Sequence, residues 1–104
     1  MVDFELDELK REFLVEAEEK VREIASTLDG ERSPEALERL AYLAHQLKGS
    51  GGSYGYQTIS TDAAEIEKAV ESLVAGDAEV AGAIEKHVAG LREEIARRLG
   101  ELAR

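Results

Sequence analysis

The apolar residues of this chain recur at steps of three and four in four separate runs, and that spacing leaves few folds open. In the first run, Leu6, Leu9, Phe13, Ala17, Val21, Ile24 and Leu28 align on one stripe of a helix with about 3.6 residues per turn. Leu37, Leu40, Ala44 and Leu47 form the second stripe, and Ile59, Ala63, Ile66, Val70 and Leu73 the third. Val80, Ile84, Val88, Leu91, Ile95, Leu99 and Leu102 make the fourth. No segment alternates with the period of a strand. Four amphipathic helices on short turns can bury their stripes only against each other, which predicts an all-α, up-down-up-down four-helix bundle. Such helices are marginal alone in water, so the packing must supply most of their stability. With 104 residues and neither linker nor internal repeat, residues 1–104 are expected to form one domain, and the stripes suffice for a monomer.

Punctuation between the runs predicts helices over about 3–28, 34–53, 56–75 and 77–102. Asp29-Gly30 ends the first, with Gly30 suited to the left-handed position after a helix. Ser33-Pro34-Glu35 opens the second with a Ser cap, a proline in the first turn and an acid near the positive helix end. Its far end is harder to place. Glycine disfavours a helix interior, so propensity alone stops it near Lys48, before Gly49-Ser50-Gly51-Gly52-Ser53-Tyr54-Gly55. Ser60, Thr61 and Asp62 each suit a cap for the third helix, while Gly76-Asp77 closes the third and caps the fourth.

Charge and composition narrow the chemistry. A formal net charge of −10 argues against nucleic acid and anionic membrane as partners, because both reward positive patches. Without cysteine there is neither a disulfide framework nor a thiolate metal site. No apolar run approaches the roughly 20 residues that span a bilayer. Met1 to Lys10 alternates acidic and apolar residues and lacks the basic start and apolar core of a secretory leader. A cytoplasmic location is expected.

Two histidines are the candidates for chemistry. His45 follows Ala44 and so points roughly 100° away from the core stripe. Its neighbours on that face are Ala41, Tyr42, Lys48 and Gly49, with Gly52 one turn further. A ring there stands above small residues and beside one lysine, open to another protein's active site. A phosphoryl group on the ring would bring about two negative charges, which an ammonium one turn away can screen and orient. The bland alternative is a solvated surface histidine with a lysine kept for solubility; glycines inside a helix weigh against it, since they want a reason. His87, within Ile84-Glu85-Lys86-His87, flanks the fourth stripe and reads as a boundary residue. A P-loop is excluded, because no strand precedes the glycines and the lysine comes before them. Tyr54 stands where a dinucleotide fingerprint needs its third glycine. A di-metal bundle needs Glu three residues before an inward His, but Tyr42 and Ile84 occupy those positions. No metal site is expected.

The run Ala44-His45-Gln46-Leu47-Lys48-Gly49-Ser50, with Gly55 ten residues beyond the histidine, resembles the His-x-Leu-Lys-Gly-Ser signature of histidine phosphotransfer (HPt) domains. Ile59, the pair Ile66-Glu67, and Glu12-Phe13-Leu14 in the opening helix are also similar to the family pattern. The resemblance spans nearly the whole chain, with the sharp part between Ala44 and Gly55. It implies a phosphoryl carrier in a two-component His-Asp phosphorelay. His45 would accept the group on Nε2 from a receiver-domain aspartyl phosphate or a histidine kinase and pass it to a receiver aspartate. Lys48 would steady the phosphoryl group, and Gly49 and Gly55 would let the receiver approach and the helices pack. Ala41, Tyr42 and Gly52 would form a docking rim.

The carrier would need no cofactor, since Mg²⁺ would sit on the receiver, and it would have no kinase or phosphatase core of its own. The resemblance also implies that the second helix continues through the glycines to Ser53 and that the third starts near Tyr56. Glycine at both 51 and 52 is richer than the family pattern, which would fray that helix end. Tyr54 and Tyr56 stand where many relatives carry aliphatic residues, as core or as a sticky rim, with core packing expected of at least one. Two rival readings stand beside this one. The first is a helical interaction module without phosphorylation, which would lose the histidine or the lysine; both are present. The second is the phosphotransfer domain of a larger chemotaxis-type histidine kinase, suggested by a helical pattern still running at Arg104. Donor, acceptor and direction of transfer are not legible in the chain.

Overall fold

The computed structural model describes residues 4–103. It contains α1 (Phe4–Asp29), α2 (Pro34–Ser53), α3 (Gln57–Val74) and α4 (Ala81–Leu102), with a 3₁₀ turn over Ala78–Val80 before α4. No strand occurs among the described residues. Each helix packs against its neighbours in the chain, and α4 closes the ring against α1. The result is the expected up-down-up-down four-helix bundle, 51 × 19 × 19 Å. The sequence-expected start of the first helix at Asp3 lies outside the described residues.

Helix ends follow local chemistry. Ser33 Oγ accepts the Ala36 N–H at 3.1 Å, with Pro34 in the first turn. Gly30 departs from expectation: it does not take a positive φ. Its N–H bonds to the Ser26 carbonyl at 3.0 Å, and the Arg32 guanidinium covers the Leu28 carbonyl at 2.8 and 3.0 Å. A cation thus satisfies the end of α1 in place of a left-handed glycine. The end of α2 lies at Ser53, as the resemblance implied. There the Tyr56 N–H reaches the Gly51 carbonyl at 2.8 Å and the Gly55 N–H reaches Gly52 at 3.1 Å, with Gly55 at φ +80°. That is a Schellman close. The same pattern ends α3, where Asp77 bonds to Ser72 and Gly76 takes φ +104°. The fourth helix, expected from residue 77, begins instead with the 3₁₀ turn. Asp77 Oδ1 accepts the Glu79 N–H at 3.2 Å, and Val80 bonds back three residues to Asp77, so regular α-helix starts only at Ala81.

The core matches the stripes with one systematic exception. Phe13, Ala17, Val21, Ile24 and Leu28 are buried, as are Leu37, Leu40, Ala44 and Leu47 and the whole third stripe. In the fourth, Ile84 to Ile95 are buried, while Val80, Leu99 and Leu102 are partly so. Leu6 and Leu9, assigned to the first stripe, are exposed. The reason lies at Phe13, whose ring stacks on Tyr54 and Tyr56 of the α2–α3 turn, centroids 5.2 and 6.1 Å away. α1 runs past that turn toward its own N-terminus, and Arg11 meets the end of α4 at the Leu102 carbonyl, 3.0 Å away. Tyr56 is buried with Arg98 and Lys10 against its ring, and Tyr54 packs half-buried against the core, so the core role expected of at least one tyrosine is met by both. The stripes are also wider than first drawn, taking in Leu14, Leu43 and Ala81.

Candidate functional site

His45 and Lys48 sit one turn apart on the flank of α2, where the helix persists through the glycines instead of ending at Lys48. Across from them, antiparallel α3 presents Glu67, which follows the buried Ile66 and stands at the rim of the helix contact. One Glu67 oxygen lies 2.8 Å from His45 Nδ1, and the other accepts a hydrogen bond from Lys48 Nζ at 3.0 Å. The carboxylate therefore bridges two donors from the neighbouring helix. Its burial pushes the Glu67 pKa up, but the hydrogen bonds from Lys48 and His45 outweigh that and hold it below its ordinary value of 4.5. It is an anion at neutral pH.

This bond decides the ring's chemistry. A carboxylate only accepts, so His45 Nδ1 must carry the proton. In the neutral ring Nε2 then keeps its lone pair, the reverse of the tautomer that free histidine prefers. The His45 side chain is 65% exposed, and Nε2 has no hydrogen-bond partner among the described residues. The arrangement offers a bare, accessible nitrogen nucleophile with its other nitrogen held.

The remaining candidates surround this ring unequally. Gly49 is exposed, and a Cβ there would meet nothing within 4 Å. Ala41 is half-buried, one turn before His45 on α2. Tyr42 is exposed, its hydroxyl accepting from Gln46 at 2.7 Å and its ring lying under the Arg39 guanidinium at 5.6 Å. Gly52 is exposed one turn beyond Gly49. Gly55 does not join the group. It lies beyond the end of α2 at Ser53, more than two helical turns from His45, and its positive φ serves the turn. The glycine that lets the helices pack closely is Gly51, where a Cβ would lie 3.2 Å from both Ile59 Cγ2 and the Ser60 backbone nitrogen.

Two carboxylates escaped the sequence reading: Glu67, noted only within the pair Ile66-Glu67, and Asp62, whose Oδ1 lies 3.0 Å from His87 Nδ1. Asp62, one of three residues that suit a cap by sequence, lies inside α3 and faces α4 instead. Gly90 of α4 faces it, where a Cβ would come within 3.2 Å of Asp62 Oδ2. His87 is half-buried, as expected of a boundary residue.

An antiparallel helical bundle with an imidazole, a carboxylate and an ammonium linked on one open flank is the class of protein that fold and site define. The chain belongs to the Hpt domain family, whose family model matches residues 8–102. Membership implies histidine phosphotransfer in phosphorelays; Hpt domains are phosphocarrier modules without a catalytic core of their own, and they interact with receiver domains and kinases. The chain matches no curated protein and no solved structure. No helix among the described residues is long and apolar enough to cross a membrane.

Proposed function

We propose that this chain accepts a phosphoryl group on His45 Nε2 from a receiver-domain aspartyl phosphate or a histidine kinase, and hands it on to a receiver aspartate. The observation that carries the reading is that His45 joins three features on one flank: Nδ1 is held by Glu67, Lys48 shares that carboxylate, and the ring is open to solvent with Nε2 as its nucleophile. In the step, the Nε2 lone pair attacks phosphorus and an N–P bond forms. The bond from phosphorus to the donor oxygen breaks, and its electron pair leaves with the receiver carboxylate, or with ADP when a kinase supplies the group. The Nδ1 proton stays on the ring, which becomes cationic. Glu67 stabilises that charge by the hydrogen bond it already makes.

Lys48 is within reach to turn from Glu67 toward the transferred group, where its ammonium offsets the new negative charge. Gly49 leaves room above the ring for the partner, and Ala41, Tyr42 and Gly52 form the rim on which it rests. The Mg²⁺ needed for the aspartyl chemistry belongs to the receiver, and the carrier works as a monomer without a cofactor of its own. Incubation with a phosphorylated receiver domain tests this. Label that is acid-labile, stable to alkali and lost in His45→Gln is expected. An unlabelled wild type, or equal labelling of His45→Gln, would sink the proposal.

A further inference from the structure

Glu67 reaches two groups on α2 that stand a helical turn apart, and both bonds are near ideal length. That demands a fixed spacing and register between α2 and α3. Two contacts supply it, both a short way along the same interface. Ser60 lies two turns before Glu67 on the same face of α3, and its hydroxyl donates to the Lys48 carbonyl at 2.8 Å. Lys48 is thus tied to α3 twice, by its carbonyl to Ser60 and by its ammonium to Glu67.

Next to that tie, Gly51 is buried against Ile59 and the Ser60 backbone. A methyl group at 51 would stand 3.2 Å from the Ser60 nitrogen. That atom cannot rotate away, because it belongs to α3's backbone and its N–H bonds to the Tyr56 carbonyl at 3.1 Å. Relief would come by moving α3 bodily away from α2. Gly49 and Gly52 impose no such limit: the first faces open space, and the second would place its Cβ at an ordinary 3.6 Å from Ser60 Oγ.

We infer that Gly51 and Ser60 are positioning residues, which hold α3 at the distance and register where Glu67 binds His45 Nδ1 and Lys48 together. Their importance for transfer rests on His45 being the phosphoacceptor; their effect on the ring does not. The test reads the ring nitrogens of His45 by ¹⁵N NMR in the full chain, alongside the rate of transfer from a phosphorylated receiver. Ser60→Ala and Gly51→Val should each move the ring toward the Nε2-protonated form of free histidine. Each should also slow transfer about threefold to tenfold, the size expected for one neutral hydrogen bond or its equivalent. Gly82→Ala, an exposed site in α4 with nothing near its Cβ, should change neither. If Gly51→Val does not fold, Ser60→Ala decides. A wild-type ring spectrum in Ser60→Ala and in a folded Gly51→Val would overturn the inference. A wild-type chain that takes no label would instead remove the phosphoacceptor reading, while the ring spectra would still decide what Gly51 and Ser60 hold.

Discussion

The bundle holds the same chemical pair twice. On the α2–α3 flank, His45 Nδ1 meets Glu67 at 2.8 Å; on the α3–α4 flank, His87 Nδ1 meets Asp62 at 3.0 Å. Both bonds leave Nε2 as the free nitrogen, so a histidine held by a carboxylate does not by itself mark a nucleophile. The surroundings separate them. The His45 side chain is 65% exposed and that of His87 33%. Glu67 also accepts from Lys48, whereas no cation pairs with Asp62 at hydrogen-bond distance among the described residues. The small residue near each pair differs in use too. Gly49 faces open space beside His45, while Gly90 gives its room to the Asp62 carboxylate and so to packing. One pair is arranged toward solvent, the other toward the neighbouring helix.

The sharpest way to break this comparison is to exchange the two histidines for glutamine in turn. His45→Gln should abolish labelling by a phosphorylated receiver. His87→Gln should leave the rate within about twofold, since a part-exposed ring on another flank touches nothing in the transfer. Label retained in His45→Gln and lost in His87→Gln would invert the assignment. Next in size is Lys48→Ala. Removing a charge-assisted contact to the transferred group should lower the transfer rate about tenfold to a hundredfold. The Nδ1-protonated signature of His45 should persist, because Glu67 remains.

How much of this was legible in the chain depends on whether a feature is local. Ser33-Pro34 and Gly76-Asp77 place helix boundaries within a few residues, because caps and turns act through their own backbone. The passage of α2 through Gly49, Gly51 and Gly52 was not legible from propensity. Burial of Gly51 against Ile59 decides it, and only the resemblance to a known family anticipated it. Leu6 and Leu9 fit the stripe perfectly yet are exposed, since a periodic pattern does not know where the partner helices stop. His45 and Lys48 could be found because they share one helix at a readable spacing. Glu67 and Asp62 could not, because each completes its pair across a helix contact whose register no single-helix pattern encodes.

The carboxylates separate the pairs a second time, at smaller amplitude. Glu67→Gln should slow transfer about tenfold by weakening the hold on Nδ1 and the offset of ring charge. Asp62→Ala should leave transfer unchanged and instead cost about 1 kcal/mol of stability, measured by denaturant unfolding, as one tie between α3 and α4 is lost. A fall in transfer with Asp62→Ala would mean that the two flanks are coupled.

The smallest expected effect is in pH. Glu67 has its pKa depressed in the folded chain below 4.5, so folding favours its ionised form. Its contribution to stability is complete above the unfolded value and is lost as pH falls through the lower folded value. Unfolding curves of the wild type and Glu67→Gln, compared from about pH 6 down to about pH 3, should therefore draw together on the acid side. The mechanism makes a further demand on the same titration. Protonating Glu67 removes its negative charge and weakens its hydrogen bonds to His45 and Lys48, so the Nδ1 signal of His45 should shift over the same interval in which the stability gap closes. A gap that widens toward acid, or an Nδ1 signal that does not respond, would show that the carboxylate is a surface charge near His45 and not the partner of its Nδ1–H.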